Sequence, residues 1–359
     1  MTRPLRILYG ACGEGLGHAT RSGVTAAHLL SQGHEVKVVS SGHAYGYLSE
    51  RLPDVEQIWG LTFALVDGQV DTWRTVTQNL RGSFTGLPAD WRRSSEIVRS
   101  FHPELVITDF DGFAYALAKL HRLPVLSLGN IQMVSRCRHD GEILAGAHSA
   151  YTQARTFVRA KVPRASRYLI LTFFHPPVRG ARTELVEPVL RAEVIGAEPE
   201  RGEHLVAYGR MAQESIEALA ATGAQCRIYG AREGLESDVV EGTLTFRPFS
   251  NDGFVEDLRT CRGVVASAGF SLMSEAVYLR KPMLAIPLAG QFEQIMNARY
   301  LERLGYGVAA DRIDEPALER FLEREERHTE ALAGYAQDGN DATLATVDRA
   351  VGELVPSRA

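Results

Sequence analysis

The feature that most constrains this fold is an alternation that runs twice along the chain. Short apolar stretches of strand length are each followed by a longer segment with helical spacing, and the order then repeats. In the first series, residues 6–10 read as a buried strand, 13–18 as a loop, 21–33 as a helix ended by its glycine, and 35–41 as the next strand. The order returns with a strand at 105–108, a helix at 113–122 and a strand at 124–128. Such alternation predicts parallel pairing, because the chain must cross back over the sheet between neighbouring strands.

A stretch of loop and charge from Arg182 to Arg201 separates this series from a second one. There, strands are expected at 204–208, 225–229, 244–248, 263–266 and 282–286, with helices at 213–222, 272–280 and 294–304. The expected fold class is α/β, two tandem Rossmann-like domains with parallel sheets. Residues 1–195 form the first domain and 196–340 the second, with a terminal helix at 341–359 that crosses back to the first. The length of 359 residues suits two domains of roughly 150 to 200 residues each.

Composition narrows the functional classes. Hydrophobic residues at 45% and charged residues at 23% describe a folded enzyme and exclude disorder. A net charge of −5 argues against a nucleic-acid partner, since holding a phosphate backbone calls for a positive excess. The cysteines Cys12, Cys137, Cys226 and Cys261 lack zinc spacing, and so do the 11 histidines, so no metal site is expected. The N-terminus lacks the apolar core of a signal peptide, and no apolar run reaches the roughly 20 residues that span a bilayer. A cytoplasmic protein is expected, with membrane contact only at its surface.

The most informative segment runs from Val265 to Leu288. A strand ends, a turn of small residues follows, and a helix begins near Ser271. Unpaired N–H groups at a helix start suit a diphosphate. Gly269 lets the backbone of Gly269 and Phe270 approach the phosphates, and the Ser271 hydroxyl can cap the helix or donate to a phosphate oxygen. One turn on, Glu275 offers a carboxylate to ribose hydroxyls. Gly209 and Arg210 are further candidates near the diphosphate, and Phe249 belongs to a segment whose main chain could read the base, its ring serving as core or pocket wall.

In these residues the chain resembles nucleotide-sugar-dependent glycosyltransferases of the GT-B fold, in which two such domains face an interdomain cleft. The resemblance includes plant-type UDP-glycosyltransferases and the bacterial N-acetylglucosaminyltransferase of peptidoglycan synthesis. Ser267, Gly269, Ser271 and Glu275, then Lys281-Pro282 and Pro287, match the donor signature, and Glu293-Gln294-x-x-Asn297-Ala298 matches its continuation. The resemblance implies that Glu293 and Gln294 bond the hydroxyls of the transferred sugar. Two departures stand out: Ser267 replaces the plant-type phosphate histidine, and the loop before Glu293 is longer. Over nearly the whole chain the similarity is to little-characterised bacterial and archaeal proteins that open with GEGLGHATR, which transmits no acceptor.

The first loop, with Gly13, Glu14, Gly15, Gly17 and His18, lies at the sheet edge where open α/β folds bind ligands. It fails as a dinucleotide fingerprint, because His18 stands where a third glycine is required and no acid follows the second strand. A histidine there suits a general base for an acceptor hydroxyl, and Asp109 or Asp111 could orient it. The resemblance carries the base and its carboxylate onto His18 and Asp109, and Glu14 remains an alternative base.

The expected reaction is inverting, metal-independent transfer from a nucleotide diphosphate sugar, most simply UDP-linked, with no other cofactor. The acceptor is expected to be a small-molecule or lipid-linked hydroxyl compound. Hydrolysis or epimerisation of the donor, or donor binding without chemistry, are the alternatives. Arg136, Arg138, Arg155, Arg159, Lys161, Arg164 and Arg167 form a basic stretch suited to an anionic headgroup or equally to a solvated helix face. Trp59, Phe63, Trp73 and Trp91 suit either an acceptor pocket or the core.

Overall fold

A computed structural model describes residues 3–13, 15–58, 65–66, 69–70 and 92–356. The chain divides into two compact units. The first comprises Met1–His139, Tyr151–Val189 and Asp338–Ala359, and the second Asp140–Ala150 and Leu190–Gln337.

In the first unit the chain runs β1 (Arg6–Ala11), α1 (Leu16–Ser31), β2 (Glu35–Ser40), α2 (Gly42–Ser49) and β3 (Val55–Gln57). A small hairpin, β4 (Leu65–Val66) and β5 (Gln69–Val70), and a helix α3 (92–101) lead to β6 (Leu105–Asp109), α4 (Gly112–Leu120), β7 (Val125–Leu128) and α5 (Met133–Arg136). The short α6 (Gly141–Leu144) belongs to the second unit, and α7 (His148–Lys161), β8 (Arg167–Leu171) and β9 (Thr183–Val186) complete the first sheet. Its strands are ordered β3-β2-β1-β6-β7-β8-β9, all parallel.

The second unit continues with α8 (Ala192–Ile195), β10 (Leu205–Tyr208), α9 (Gln213–Ala221), β11 (Cys226–Tyr229), β12 (Val239–Glu241), β13 (Leu244–Arg247) and α10 (Asn251–Thr260). Then come β14 (Gly263–Ser267), α11 (Phe270–Tyr278), β15 (Met283–Ile286), α12 (Phe292–Arg303), β16 (Gly307–Ala309), α13 (Glu315–Glu323) and α14 (Glu325–Ala333). The last helix, α15 (Asp341–Leu354), returns to the first unit. The second sheet is ordered β12-β13-β11-β10-β14-β15-β16, parallel except for β12.

Both sheets are filled by apolar side chains because helices cover them. Leu8, Val39, Val106, Val125 and Tyr168 pack under Ala114 and Leu117 of α4 in the first unit. Leu205, Ile228, Phe246, Val265 and Leu284 pack under Leu318 and Phe321 of α13 in the second.

Two expectations change. Helix α1 begins at Leu16, inside the stretch read as a loop, because Gly15 adopts φ 83° at the N-cap and turns the chain into the helix early. The second unit gathers Asp140–Ala150 together with Leu190–Gln337, where one stretch from 196 was expected, and Arg191 is bonded there to Glu275.

Candidate functional site

In each sheet one central strand has neighbours reached by the chain in opposite directions, and the crevice beyond its carboxyl end is where such folds take ligands. In the first sheet this point lies between β1 and β6, where Ala11 pairs with Asp109. In the second it lies between β10 and β14, where Tyr208 pairs with Ala266.

At the first switch point, Asp109 is fully buried. Arg21 forks it, Nε donating to Oδ2 at 2.7 Å and Nη2 to Oδ1 at 2.8 Å, and Ser22 Oγ donates to Oδ2 at 3.3 Å. His18 Nδ1 lies 3.0 Å from Asp109 Oδ2 and 2.6 Å from Arg21 Nη2, with 22% of its side chain exposed. The early start of α1 explains the grouping: His18 and Arg21 are three residues apart on one helix and so share a face. Gly129, just past β7, closes over the carboxylate with φ 154°, and a Cβ there would stand 2.5 Å from Asp109 Oδ1.

These contacts set the charges. Burial alone would raise Asp109, but the Arg21 guanidinium forked onto it holds it well below the usual carboxylate range. Burial lowers the His18 pKa, and the charges of Arg21 and Lys161 add to that against the opposing pull of Asp109. The balance of these contacts favours the neutral ring. Asp111, the other carboxylate considered, caps α4 by accepting from Ala114 N at 2.7 Å. In the glycine-rich turn, Gly13 lies so close to Ser41 that a Cβ would meet Oγ at 2.1 Å, while Gly17 is helical and its carbonyl accepts from Thr20. Glu14, Trp59, Phe63, Trp73 and Trp91 lie outside the described residues.

At the second switch point, β14 ends at Ser267 and α11 starts at Phe270 with Gly269 as its N-cap. No side chain bonds back at that cap, and Ser271, one position into the helix, does not supply it. Phe270 is buried, so its backbone N–H rather than its ring is what it brings to the turn. Glu275 is only 7% exposed and is forked by Arg191, Nε to Oε1 and Nη2 to Oε2, both at 2.8 Å. Burial raises its pKa, Glu193 adds to that, and Arg191 only partly opposes them.

Helix α12 is joined to the same turn. Asn297, fully buried, donates from Nδ2 to the carbonyl of Ala268 at 3.3 Å. Gln294 accepts from Leu288 N at 3.0 Å and donates to Gln291 Oε1 at 2.9 Å, so its amide orders the loop between β15 and α12. Glu293 stands partly exposed in the first turn of α12.

Residues 5–325 match the profile described as glycosyl transferase family 1. The protein belongs to this glycosyltransferase family. It is similar to an uncharacterized glycosyltransferase of Methanosarcina acetivorans, with 22% identity over 334 residues that cover 84% of this chain and 85% of the relative. A shorter stretch of 118 residues is 28% identical to UDP-N-acetylglucosamine--N-acetylmuramyl-(pentapeptide) pyrophosphoryl-undecaprenol N-acetylglucosamine transferase 3 of Bacillus cereus, covering 30% of this chain and 33% of that one. The crystal structure of the glycotransferase of kitacinnamycin superimposes with a TM-score of 0.68 at 14% identity, covering 99% of this chain and 100% of that one. The fold is GT-B.

Other residues of the glycosyltransferase take unexpected places. Phe249, expected as core or pocket wall, is 53% exposed and rests on Tyr208, Tyr229 and Phe254, with ring centroids 6.3, 6.5 and 6.1 Å away. Gly209 takes φ 120° where the chain leaves β10. Arg210 is highly exposed and pairs with the equally exposed Glu233. In the basic stretch, Arg136 stacks on the Tyr168 ring at 3.8 Å and Arg167 pairs with Glu184 and Glu353, whereas Arg138, Arg159 and Arg164 are exposed. Among the described residues no cluster of His, Cys, Asp and Glu could hold a metal, and no helix is long and apolar enough to cross a membrane.

Sequence reasoning missed Arg21, Gly129 and Arg191. Arg21 closes the GEGLGHATR stretch, three residues past the histidine, and that spacing was the available signal. Arg191 sits in a segment that reads as a linker, and nothing local marks it.

Proposed function

We propose that this glycosyltransferase takes a sugar from a nucleoside diphosphate donor held by the second unit and moves it, with inversion, to a hydroxyl acceptor received by the first. The observation that carries this reading is the bond from Asn297 to the Ala268 carbonyl, which ties the sugar-binding stretch on α12 to the phosphate-binding turn before α11. This bond, made across 29 residues of sequence, supports reading the two stretches as one donor site. In the reaction, the acceptor oxygen bonds to the anomeric carbon as the bond from that carbon to the diphosphate oxygen breaks.

The leaving diphosphate gathers negative charge. The backbone N–H groups at the start of α11 and the Ser271 hydroxyl meet it, a task that needs no divalent ion. Glu275, held rigid by Arg191, accepts from the ribose hydroxyls, Glu293 and Gln294 face the sugar, and the exposed Phe249 ring offers a surface to the base. A UDP-linked donor is favoured by the name of the Bacillus cereus relative, which also favours a lipid-linked acceptor. Exposed Arg138, Arg159 and Arg164 suit the anionic headgroup of such an acceptor. Loss of the acceptor proton needs a base, for which His18, beside Asp109, and Glu14 are the candidates in the first turn region.

The test is incubation with UDP, dTDP and GDP sugars, with and without cell extract, measuring release of nucleoside diphosphate. UDP release that depends on extract is expected. Release in buffer alone would replace transfer by hydrolysis, and neither release nor donor binding would overturn the reading.

A further inference from the structure

The 2.6 Å contact between Arg21 Nη2 and His18 Nδ1 fixes more than the position of the ring. A guanidinium carries five N–H donors and no acceptor. The nitrogen that meets it must accept, and an imidazole nitrogen accepts only when it bears no proton. A neutral His18 held in this way carries its proton on Nε2.

Asp109 Oδ2, at 3.0 Å from the same nitrogen, would select the opposite form, with the proton on Nδ1 and a lone pair on Nε2. The two neighbours therefore compete for one nitrogen, and the geometry favours Arg21. Its contact is the shorter of the two. Asp109 is also well supplied, with Arg21 Nε and Ser22 Oγ on Oδ2 and Arg21 Nη2 on Oδ1. Nη2 has two protons, one for Oδ1 and one for Nδ1, so a single arginine serves both partners at once.

We propose that Arg21 is a positioning residue that holds His18 in the Nε2–H form, so that the histidine meets an oxygen of its ligand as a hydrogen-bond donor rather than as a proton acceptor. The identity of that ligand rests on the proposed transfer reaction, whereas the proton position does not. Among the described residues, the charges that act on the ring include Arg21 from α1, Asp109 from β6 and Lys161 from α7. Two cations against one forked anion favour a neutral ring. The proton of an attacking hydroxyl then leaves to a group other than His18.

The test is nitrogen NMR of the full chain labelled with 15N-histidine, with His18→Gln identifying the signal. At neutral pH, His18 is expected to show a protonated Nε2 and an unprotonated Nδ1. Arg21→Met is expected to move the proton to Nδ1, now bonded to Asp109, and to raise the titration midpoint by about one pH unit or more. Arg21→Lys, which keeps a cationic donor, is expected to restore the Nε2–H form. A protonated Nδ1 in the unaltered protein overturns the proposal, as does an unchanged proton position in folded Arg21→Met. If Arg21→Met does not fold, the measurement on the unaltered protein decides alone. Failure of sugar transfer would leave these signals as they are, so the two readings fail separately.

Discussion

Each unit buries a carboxylate beside the carboxyl edge of its sheet and forks it with one arginine, yet the two pKa values shift in opposite directions. Asp109 is held by Arg21, by Ser22 and beside His18, and its pKa falls well below the usual range. Glu275 has Arg191 but also Glu193 nearby, and burial prevails, so its pKa rises. An arginine fork by itself does not decide the charge of a buried acid. What decides it is how many further donors or cations share the site. The first unit thus keeps an anion that organises an arginine and a histidine, while the second keeps a carboxylate whose pKa burial raises despite its arginine.

Removing the anion gives the largest expected effect. Asp109→Ala leaves the Arg21 guanidinium buried without a counter-charge and is expected to cost about 3–5 kcal/mol in urea unfolding. Arg191→Met is expected to cost less, about 1–3 kcal/mol, because Glu275 can take up a proton instead of remaining a buried charge. Equal losses in the two variants would break the comparison.

Acid should separate the units further. The contribution of Asp109 is complete above its unfolded pKa of about 3.9 and is lost as pH falls through its folded value, and that of neutral His18 declines below about 6.5. Glu275, with a raised folded pKa, works the other way: its cost appears as pH rises through the ordinary carboxylate range. Hydrogen exchange of β1 and β6 amides is expected to accelerate on acidification relative to β10 and β14, by at most about 1.4 kcal/mol per pH unit for each group. Matching acceleration in both sheets would contradict the assigned charge states.

The smallest effect on folding is expected at Phe249. Phe249→Ala should leave folding unchanged, since the ring is largely exposed, and weaken nucleotide binding by roughly 5- to 150-fold through lost stacking of about 1–3 kcal/mol. Calorimetry with the nucleoside diphosphate checks this, and unaltered affinity would remove the ring from the site.

The two-sheet α/β architecture was legible because buried parallel strands leave short apolar runs that repeat between helices. Strands β8 and β9 were not, since arginines flank one and the other lies in a stretch of loop-like composition. Asp109, Ser267 and Gly269 could be named from their places at strand and helix ends, and His18 and Glu275 from the motifs that carry the resemblance. Their arginine partners could not: Arg21 and Asp109 are separated by 88 residues and Arg191 and Glu275 by 84, and pairing over such distances leaves no local pattern. The start of α1 was obscured for a different reason, as a glycine at positive φ that opens a helix looks like any loop glycine.

The central claim is that the second unit holds the nucleotide and the first unit serves the acceptor. Calorimetric titration of nucleoside diphosphate into His18→Ala and Glu275→Ala tests it most directly. The account predicts near-normal affinity for His18→Ala and a loss of roughly 10- to 100-fold for Glu275→Ala, the worth of two ribose hydrogen bonds. Weakened binding in His18→Ala with full affinity in Glu275→Ala would contradict it.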